Sequence, residues 1–309
     1  MITALCLNPS LDKTLHIARL ERGGTNRVLR EETVAGGKGV NVARIAASFG
    51  LEARALLFLG RDDEKLMADA LSGWGCAMSA VTLPGRLRVN IKVMDESRGE
   101  VTELNVAGSP VGPGELDEME ALTAACAANS RWLCLSGSLP PGCPDDYYAR
   151  LIRAARRTAP DCRIALDASG DSFRPALREG PDLIKPNLDE LSVFAGFSVE
   201  DREGADAGIA ALRAGGAKDI ILSMGADGAL LYAEDSALYA PGLKLPVATT
   251  VGAGDAMLAG YIAGKEKGYK AREAFRLALS TAAARVAGDE TRRVEFLPQV
   301  EIKENNIVI

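Results

Sequence analysis

Hydrophobic and polar positions along the chain follow two periods, and the change between them divides the sequence. Residues 2–7 form a short apolar run that predicts a buried strand. Residues 14–20 and 26–34 alternate imperfectly and carry many charges, which predicts exposed strands. Val40, Val42, Ala43, Ile45 and Ala46 then supply the apolar side of a helix. Residues 53–59 and 78–83 read as strands. The helix between them, 62–73, has Leu66, Met67, Ala70 and Leu71 on one side. Residues 87–94 alternate cleanly and put Arg88, Asn90 and Lys92 on one face. Residues 101–106 are the hairpin partner, across a charged turn.

From Gly114 onward helix and strand repeat. Helix 115–129 leads to strand 131–136, and helix 145–158 leads to strand 163–168. A strand ends at Pro186, and strands 220–222 and 229–232 meet through an Asp-Gly turn. Two small-residue helices, 256–267 and 271–287, close the pattern. Such a repeat favours right-handed βαβ crossovers and a largely parallel sheet. No linker or low-complexity segment interrupts it. The expectation is one α/β unit over residues 1–309, with exposed strands inserted at about 13–35 and 86–107.

Composition changes this picture little. Apolar residues make up 47% and charged residues 25%, enough for a large core in an ordinary globular protein. The net charge of −6 argues against general nucleic-acid binding. No apolar run is long enough to span a bilayer, and no stretch reads as a signal peptide. Cys6, Cys76, Cys126, Cys134, Cys143 and Cys162 form no C-x-x-C pair. They read as buried thiols in a reducing cytoplasm, with Cys143 more open after Pro140-Pro141-Gly142. His16 is the only histidine, and no nucleophile-elbow pattern accompanies it, so it reads as a structural or lid residue.

Residues 249–260 carry the candidate chemistry. They run from a β-rich stretch into a small-residue helix, through Gly252-Ala253-Gly254-Asp255. Glycines let bare backbone approach a ligand, and the first N–H groups of a helix suit an anion. Asp255 stands where a carboxylate could take a proton from an attacking hydroxyl. A tight turn with Asp at a helix start accounts for the same residues. The stretch lies near the C-terminus and has Met257 at the last fingerprint position, which disfavours a NAD-dependent dehydrogenase.

Other candidates each have a structural alternative. Asp12, just past the first strand, suits ligand work or an Asx turn. Gly36-Gly37-Lys38-Gly39 is not a Walker A loop, but it allows close backbone approach, with Lys38 and Asn41 as substrate contacts. Lys38 could equally be solvated. Arg88, Asn90 and Lys92 could grip a phosphate and sugar hydroxyls, or form a solvated hairpin face. Ser138 lies in a tight polar loop, 136–142. Asn187 and Glu190 match a helix capping box. Ser223, Gly225, Ala226, Asp227 and Gly228 form a strand–turn–strand connection.

Thr250-Val251-Gly252-Ala253-Gly254-Asp255 resembles the C-terminal signature of the PfkB family, the ribokinase-like sugar kinases. Residues 35–43 resemble its N-terminal Gly-Gly signature, and the likeness covers nearly the whole chain. It implies a three-layer αβα core with a mainly parallel sheet and a small β-sheet lid, which also offers a homodimer interface. It implies transfer of the ATP γ-phosphoryl group to a ketohexose phosphate. Fructose 1-phosphate comes first, and tagatose 6-phosphate and fructose 6-phosphate remain open. Asp255 would be the general base, with Gly252, Ala253 and Gly254 in the anion hole. Asp12, Gly36, Gly37, Lys38, Asn41, Arg88, Asn90, Lys92 and Ser138 would hold the sugar phosphate. Lys185, Asn187, Ser223, Gly225, Ala226, Asp227, Gly228 and Gly254 would meet ATP. Asn187 and Glu190 would organise Mg²⁺, mainly through water. A monovalent-cation requirement stays open. A non-catalytic nucleotide or sugar-phosphate sensor is the rival of another class, and the intact Asp255 turn argues against it.

Overall fold

In the computed structural model, which describes residues 1–233 and 236–304, the first apolar run forms β1 (Ile2–Cys6). Two polar strands follow, β2 (Ser10–Ile17) and β3 (Val28–Gly36), and then α1 (Lys38–Ser48). Next come β4 (Ala53–Gly60), α2 (Glu64–Gly73), β5 (Cys76–Leu83) and the hairpin β6 (Arg88–Asp95) with β7 (Glu100–Leu104). The alternating half runs α3 (Pro113–Ala127), β8 (Trp132–Gly137), α4 (Tyr147–Thr158), β9 (Arg163–Ala168), α5 (Phe173–Leu177), β10 (Leu183–Ile184) and α6 (Leu188–Ala195). It continues through α7 (Arg202–Ala214), β11 (Asp219–Ser223), β12 (Ala229–Ala233) and β13 (Ser236–Ala240). The chain then forms α8 (Ala253–Glu266), α9 (Ala271–Val286), α10 (Arg293–Phe296) and β14 (Lys303–Glu304).

Ten strands form one sheet in the order β14-β13-β12-β11-β10-β9-β8-β1-β4-β5. The pairs from β5 to β11 are parallel, and β12, β13 and β14 add antiparallel. Strand alternation builds two cores. In β1, Ala4 and Cys6 face one core while Leu5 faces the other. Residues of α1, α2, α8 and α9 fill the first core, and those of α3, α4, α5, α6 and α7 fill the second. The result is the expected three-layer αβα arrangement. The first layer is rich in alanine and glycine, so α8 and α9 pack closely. A Cβ on Gly264 would sit 2.7 Å from the Ala274 Cα.

β1 lies between β8 and β4, so successive crossovers leave it in opposite directions. Open α/β sheets bind ligands at such a switch point, outside the carboxyl ends of the strands. Over that edge stands a four-stranded sheet, β3-β2-β6-β7, in which β2 and β6 run parallel.

Two sequence expectations change. β2 begins at Ser10, earlier than the alternation suggests, because pairing with both β3 and β6 captures Ser10–Asp12. Asp12 is therefore a strand residue and makes no Asx turn. The stretch before Thr249 is not β: β13 ends at Ala240, and residues 241–251 run as loop and turn. Pro241 and Pro246 have no N–H to give a ladder there. α7, β13 and β14 were not singled out in the sequence, although α7 carries an amphipathic pattern with Ala205, Ile209 and Leu212 in the core. All six cysteines are free. Five are buried and Cys143 is half-buried. Among the described residues, no helix is long and apolar enough to cross a membrane.

Candidate active site

Gly252 opens α8 with φ at 79°, a left-handed turn that favours glycine. The turn puts Asp255 in the first helical turn, and the Ala253 N–H there donates to the Thr250 carbonyl at 3.3 Å. Asp255 is 5% exposed. Asn41, on the first turn of α1, donates from Nδ2 to its Oδ2 at 2.8 Å. Burial pushes the Asp255 carboxyl up to about 6, and the charge of Asp167 adds to the rise. The Asn41 hydrogen bond and the ammoniums of Lys38 and Lys185 oppose it.

Asp167, near the carboxyl end of β9, was not singled out in the sequence. It is 2% exposed and lies between two cations. Lys38 Nζ donates to its Oδ1 at 3.2 Å, and Lys185 Nζ is 3.5 Å from the same oxygen. Burial disfavours its charge, but Lys185 and Lys38 outweigh that and hold the carboxyl below the usual range. The charge of Asp167 in turn raises the Lys38 ammonium. One carboxylate shared by two ammoniums leaves local positive charge beside the α8 N-terminus. Lys185 is itself buried and faces that turn, since a Cβ on Gly254 would lie 2.9 Å from its Nζ. Asp167 Oδ2 is buried without a partner. The signal available in the sequence was a lone carboxylate near the end of an otherwise apolar strand.

The second cluster belongs to the lid. Asp12 lies opposite Asn90 in the β2–β6 register. Its Oδ1 accepts from Asn90 Nδ2 at 3.1 Å and Ser10 Oγ at 2.8 Å, and its Oδ2 accepts from Lys92 Nζ at 3.4 Å. Gly36 leaves room for this carboxylate: a Cβ there would sit 2.7 Å from Asp12 Cγ. Lys92 is thus paired to Asp12. Arg88 stands apart, donating to the Val106 carbonyl at 3.1 Å, with a buried, unpartnered Nε. Ser138 Oγ accepts from Asn8 Nδ2 at 3.3 Å, across the carboxyl ends of β1 and β8. Gly37 links the two clusters. Its φ of 115° turns β3 into α1, and a Cβ there would strike Cys6 Sγ at 2.4 Å. His16 lies in the lid strand β2, 3.4 Å from Glu96.

The third group borders Lys185. Asn187 caps α6: its Oδ1 accepts from Glu190 N at 2.7 Å, and Glu190 Oε2 accepts from Asn187 N at 3.0 Å. The capping box of the sequence is therefore formed. Ser223 pairs with Asn187 in an isolated parallel bridge, and its N–H donates to the Pro186 carbonyl at 3.0 Å. A 3-10 turn, Gly225–Asp227, then leads through Gly228 into β12. This places Ser223, Gly225, Ala226, Asp227 and Gly228 along one side of the crevice. Gly228 is also a packing residue, since a Cβ there would lie 2.0 Å from the Ala240 carbonyl oxygen.

The geometry offers a buried carboxylate of raised pKa, a helix N-terminus with flanking ammoniums, and a half-open polar cluster on the four-stranded sheet. That combination suits in-line transfer of an anionic group to a hydroxyl. Comparison with known proteins agrees. A family model for pfkB family carbohydrate kinases matches residues 7–295. A 1-phosphofructokinase of Rhodobacter capsulatus is 37% identical over 90% of this chain and 87% of its own. One from Haloferax volcanii is 35% identical over 100% of this chain and 98% of its own. The solved phosphofructokinase-2 of Escherichia coli in complex with fructose-6-phosphate superposes with a TM-score of 0.89. It is 25% identical and covers 97% of this chain and 98% of its own.

Proposed function

The chain belongs to the pfkB family of carbohydrate kinases, and from that premise we propose that it transfers the γ-phosphoryl group of ATP to fructose 1-phosphate, giving fructose 1,6-bisphosphate. The observation that carries the reading is the buried Asp255–Asn41 pair at the α8 N-terminus, beside the Lys38–Asp167–Lys185 group.

Asp255 takes the proton of the attacking sugar hydroxyl on its carboxylate, while Asn41 fixes that carboxylate's orientation. With its pKa raised to about 6, it is ionised near neutrality yet basic enough to share a proton. Backbone N–H groups of Gly252, Gly254 and Asp255 meet the transferred phosphoryl group, since that of Ala253 is given to the Thr250 carbonyl, and Lys185 and Lys38 offset its charge. Asp12, Asn90 and Ser138 orient sugar hydroxyls, and Arg88 and Lys92 hold the sugar's existing phosphate. The buried, unpartnered Arg88 Nε supports a role for that residue beyond packing. Closure of the lid sheet excludes water, which would otherwise compete as acceptor. The turn at 223–228 lies along the ATP phosphates and ribose.

The residues present suit Mg²⁺. Among the described residues, no three His, Cys, Asp or Glu side chains converge as ligands. Sparse ligation fits an ion that keeps its waters and phosphate oxygens. The Asp167 Oδ2 lacks a partner, so Asp167 and Glu190 are the donors we assign, and Asn187 serves by holding Glu190. Such an ion neutralises phosphate charge when bound. The lid exposes Val28, Leu29, Val34, Val101 and Leu104, which supports a homodimer formed through it. The six free cysteines fit a cytoplasmic location.

The test is ATP consumption with fructose 1-phosphate, tagatose 6-phosphate and fructose 6-phosphate side by side. Fastest turnover on fructose 1-phosphate is expected. Preference for a 6-phosphate would keep the base and reverse the sugar. Absence of turnover with all three would favour the sensor reading.

A further inference from the structure

A broad depression lies away from the crevice, at the amino ends of the parallel strands. It encloses about 1140 Å³ between the starts of β8, β9 and β11, the end of α8 and the start of α9. Among the described residues, six cations line it against three carboxylates, in a chain whose net charge is −6. Two of those carboxylates are engaged: Asp182 with Lys218 at 2.6 Å, and Glu304 with Arg272. The third, Asp219, accepts from Tyr261 Oη at 3.0 Å.

Arg163, Arg213, Lys265 and Lys270 remain. None of them forms an ion pair among the described residues. Arg213 donates from Nη2 to the Ala233 carbonyl at 3.1 Å, but its Nε is buried without a partner. A buried charged donor left unmade is costly, and most such groups meet a protein atom, a water or a ligand. Like charges also repel across a shared concavity, and an anion between them removes that repulsion. Mono-anions leave part of this charge unmatched. A cavity of this size takes a ligand of nucleotide or sugar-bisphosphate dimensions.

We propose that this depression is a second anion site, taking a small ligand that carries two or more phosphoryl groups. Arg213, Lys265 and Lys270 hold the phosphoryl oxygens, and Arg163 closes the side next to Trp132, with its guanidinium 5.5 Å from the ring centroid. The site is distinct from the catalytic crevice. Lys265 lies in the last turn of α8 and Asp255 in its first, roughly 15 Å apart at 1.5 Å per residue. β9 and β11 likewise have one end at each site.

Trp132 gives a local reporter. The chain has two tryptophans, and a Trp74→Phe background leaves Trp132 alone. Inorganic pyrophosphate and fructose 1,6-bisphosphate are titrated separately against its fluorescence. A saturating change is expected, weakened by added salt. Lys265→Gln with Lys270→Gln should lower the affinity roughly tenfold or more, the scale of lost charge-assisted hydrogen bonds. ATP and sugar-phosphate KM should stay at the parent values. Tighter pyrophosphate binding assigns the site to a nucleotide-type diphosphate, and tighter bisphosphate binding assigns it to a sugar. No saturable change at millimolar probe overturns the proposal. So does an affinity that both substitutions leave intact, since the anion would then sit in the catalytic cradle.

Discussion

Asp255 and Asp12 have the same kinds of neighbours and different surroundings. Each accepts a hydrogen bond from an asparagine amide, and each has lysine charge close by. Asp255 is enclosed by the core at the start of α8. The Asp12 side chain, on the lid strand β2, is 18% exposed and is met by Lys92 directly. Burial and the nearby Asp167 push Asp255 up to about 6, whereas Asp12 stays partly open to water and to whatever the lid covers. The contrast separates the roles. A carboxylate that resists ionisation can exchange a proton at neutral pH, and one fixed by several donors can orient hydroxyls without reacting.

Asp255→Asn breaks the first half of that contrast and should have the largest effect. It keeps the shape and an oxygen for Asn41 but removes the ionisable carboxylate. Turnover should fall by roughly 10²–10⁴-fold, the range for general acid–base groups. Steady-state kinetics at pH 8 checks this, and turnover within a fewfold of the parent would remove Asp255 from the chemistry.

Arg88→Ala sharpens the second half. The sugar-phosphate KM should rise roughly tenfold to a hundredfold, matching one charge-assisted grip, while the ATP KM holds. An unchanged sugar-phosphate KM would move the grip elsewhere.

Gly36→Ala tests the lid carboxylate through packing. The new Cβ would sit 2.7 Å from Asp12 Cγ, so Asp12 must shift. Sugar-phosphate KM should rise by roughly tenfold, with a smaller loss in kcat, since a displaced orienting group weakens ground-state binding first. Equal losses in kcat and kcat/KM would instead tie Asp12 to the transition state.

The smallest effect concerns stability. Because the Asp255 pKa is raised in the folded state, folding binds a proton between the unfolded value near 4 and about 6. Stability from this group is therefore full below that window and falls as pH rises through it. Asp255→Asn should have a higher Tm relative to the parent at pH 8 than at pH 4. A difference independent of pH would mean that the folded pKa is not raised.

Both regions were partly legible in the sequence, for local reasons. Gly252–Asp255 and Gly36–Asn41 each combine a backbone demand with a charged or amide residue in one short stretch, so residue type marks the place. What the sequence did not reveal depends on distant partners. Asp167 reads as one polar residue in an apolar strand until Lys38, 129 residues away, meets it. Asp12 looked like a turn residue because the strand that fixes it, β6, lies 78 residues further on. Lys92 shares a face with Arg88 as alternation predicts, yet ion pairing to Asp12 separates their contacts. At Asn187 and Glu190 the pattern allowed both a cap and a metal role, and the cap is formed.

The most direct test of the contrast is the pH dependence of kcat/KM for the sugar phosphate between pH 4.5 and 8 at saturating ATP. The profile of the ATP-bound enzyme should rise with unit slope below pH 6 and level off above it, following ionisation of Asp255 at about 6. A profile flat across that range would contradict the assignment of a buried, raised carboxylate as the base.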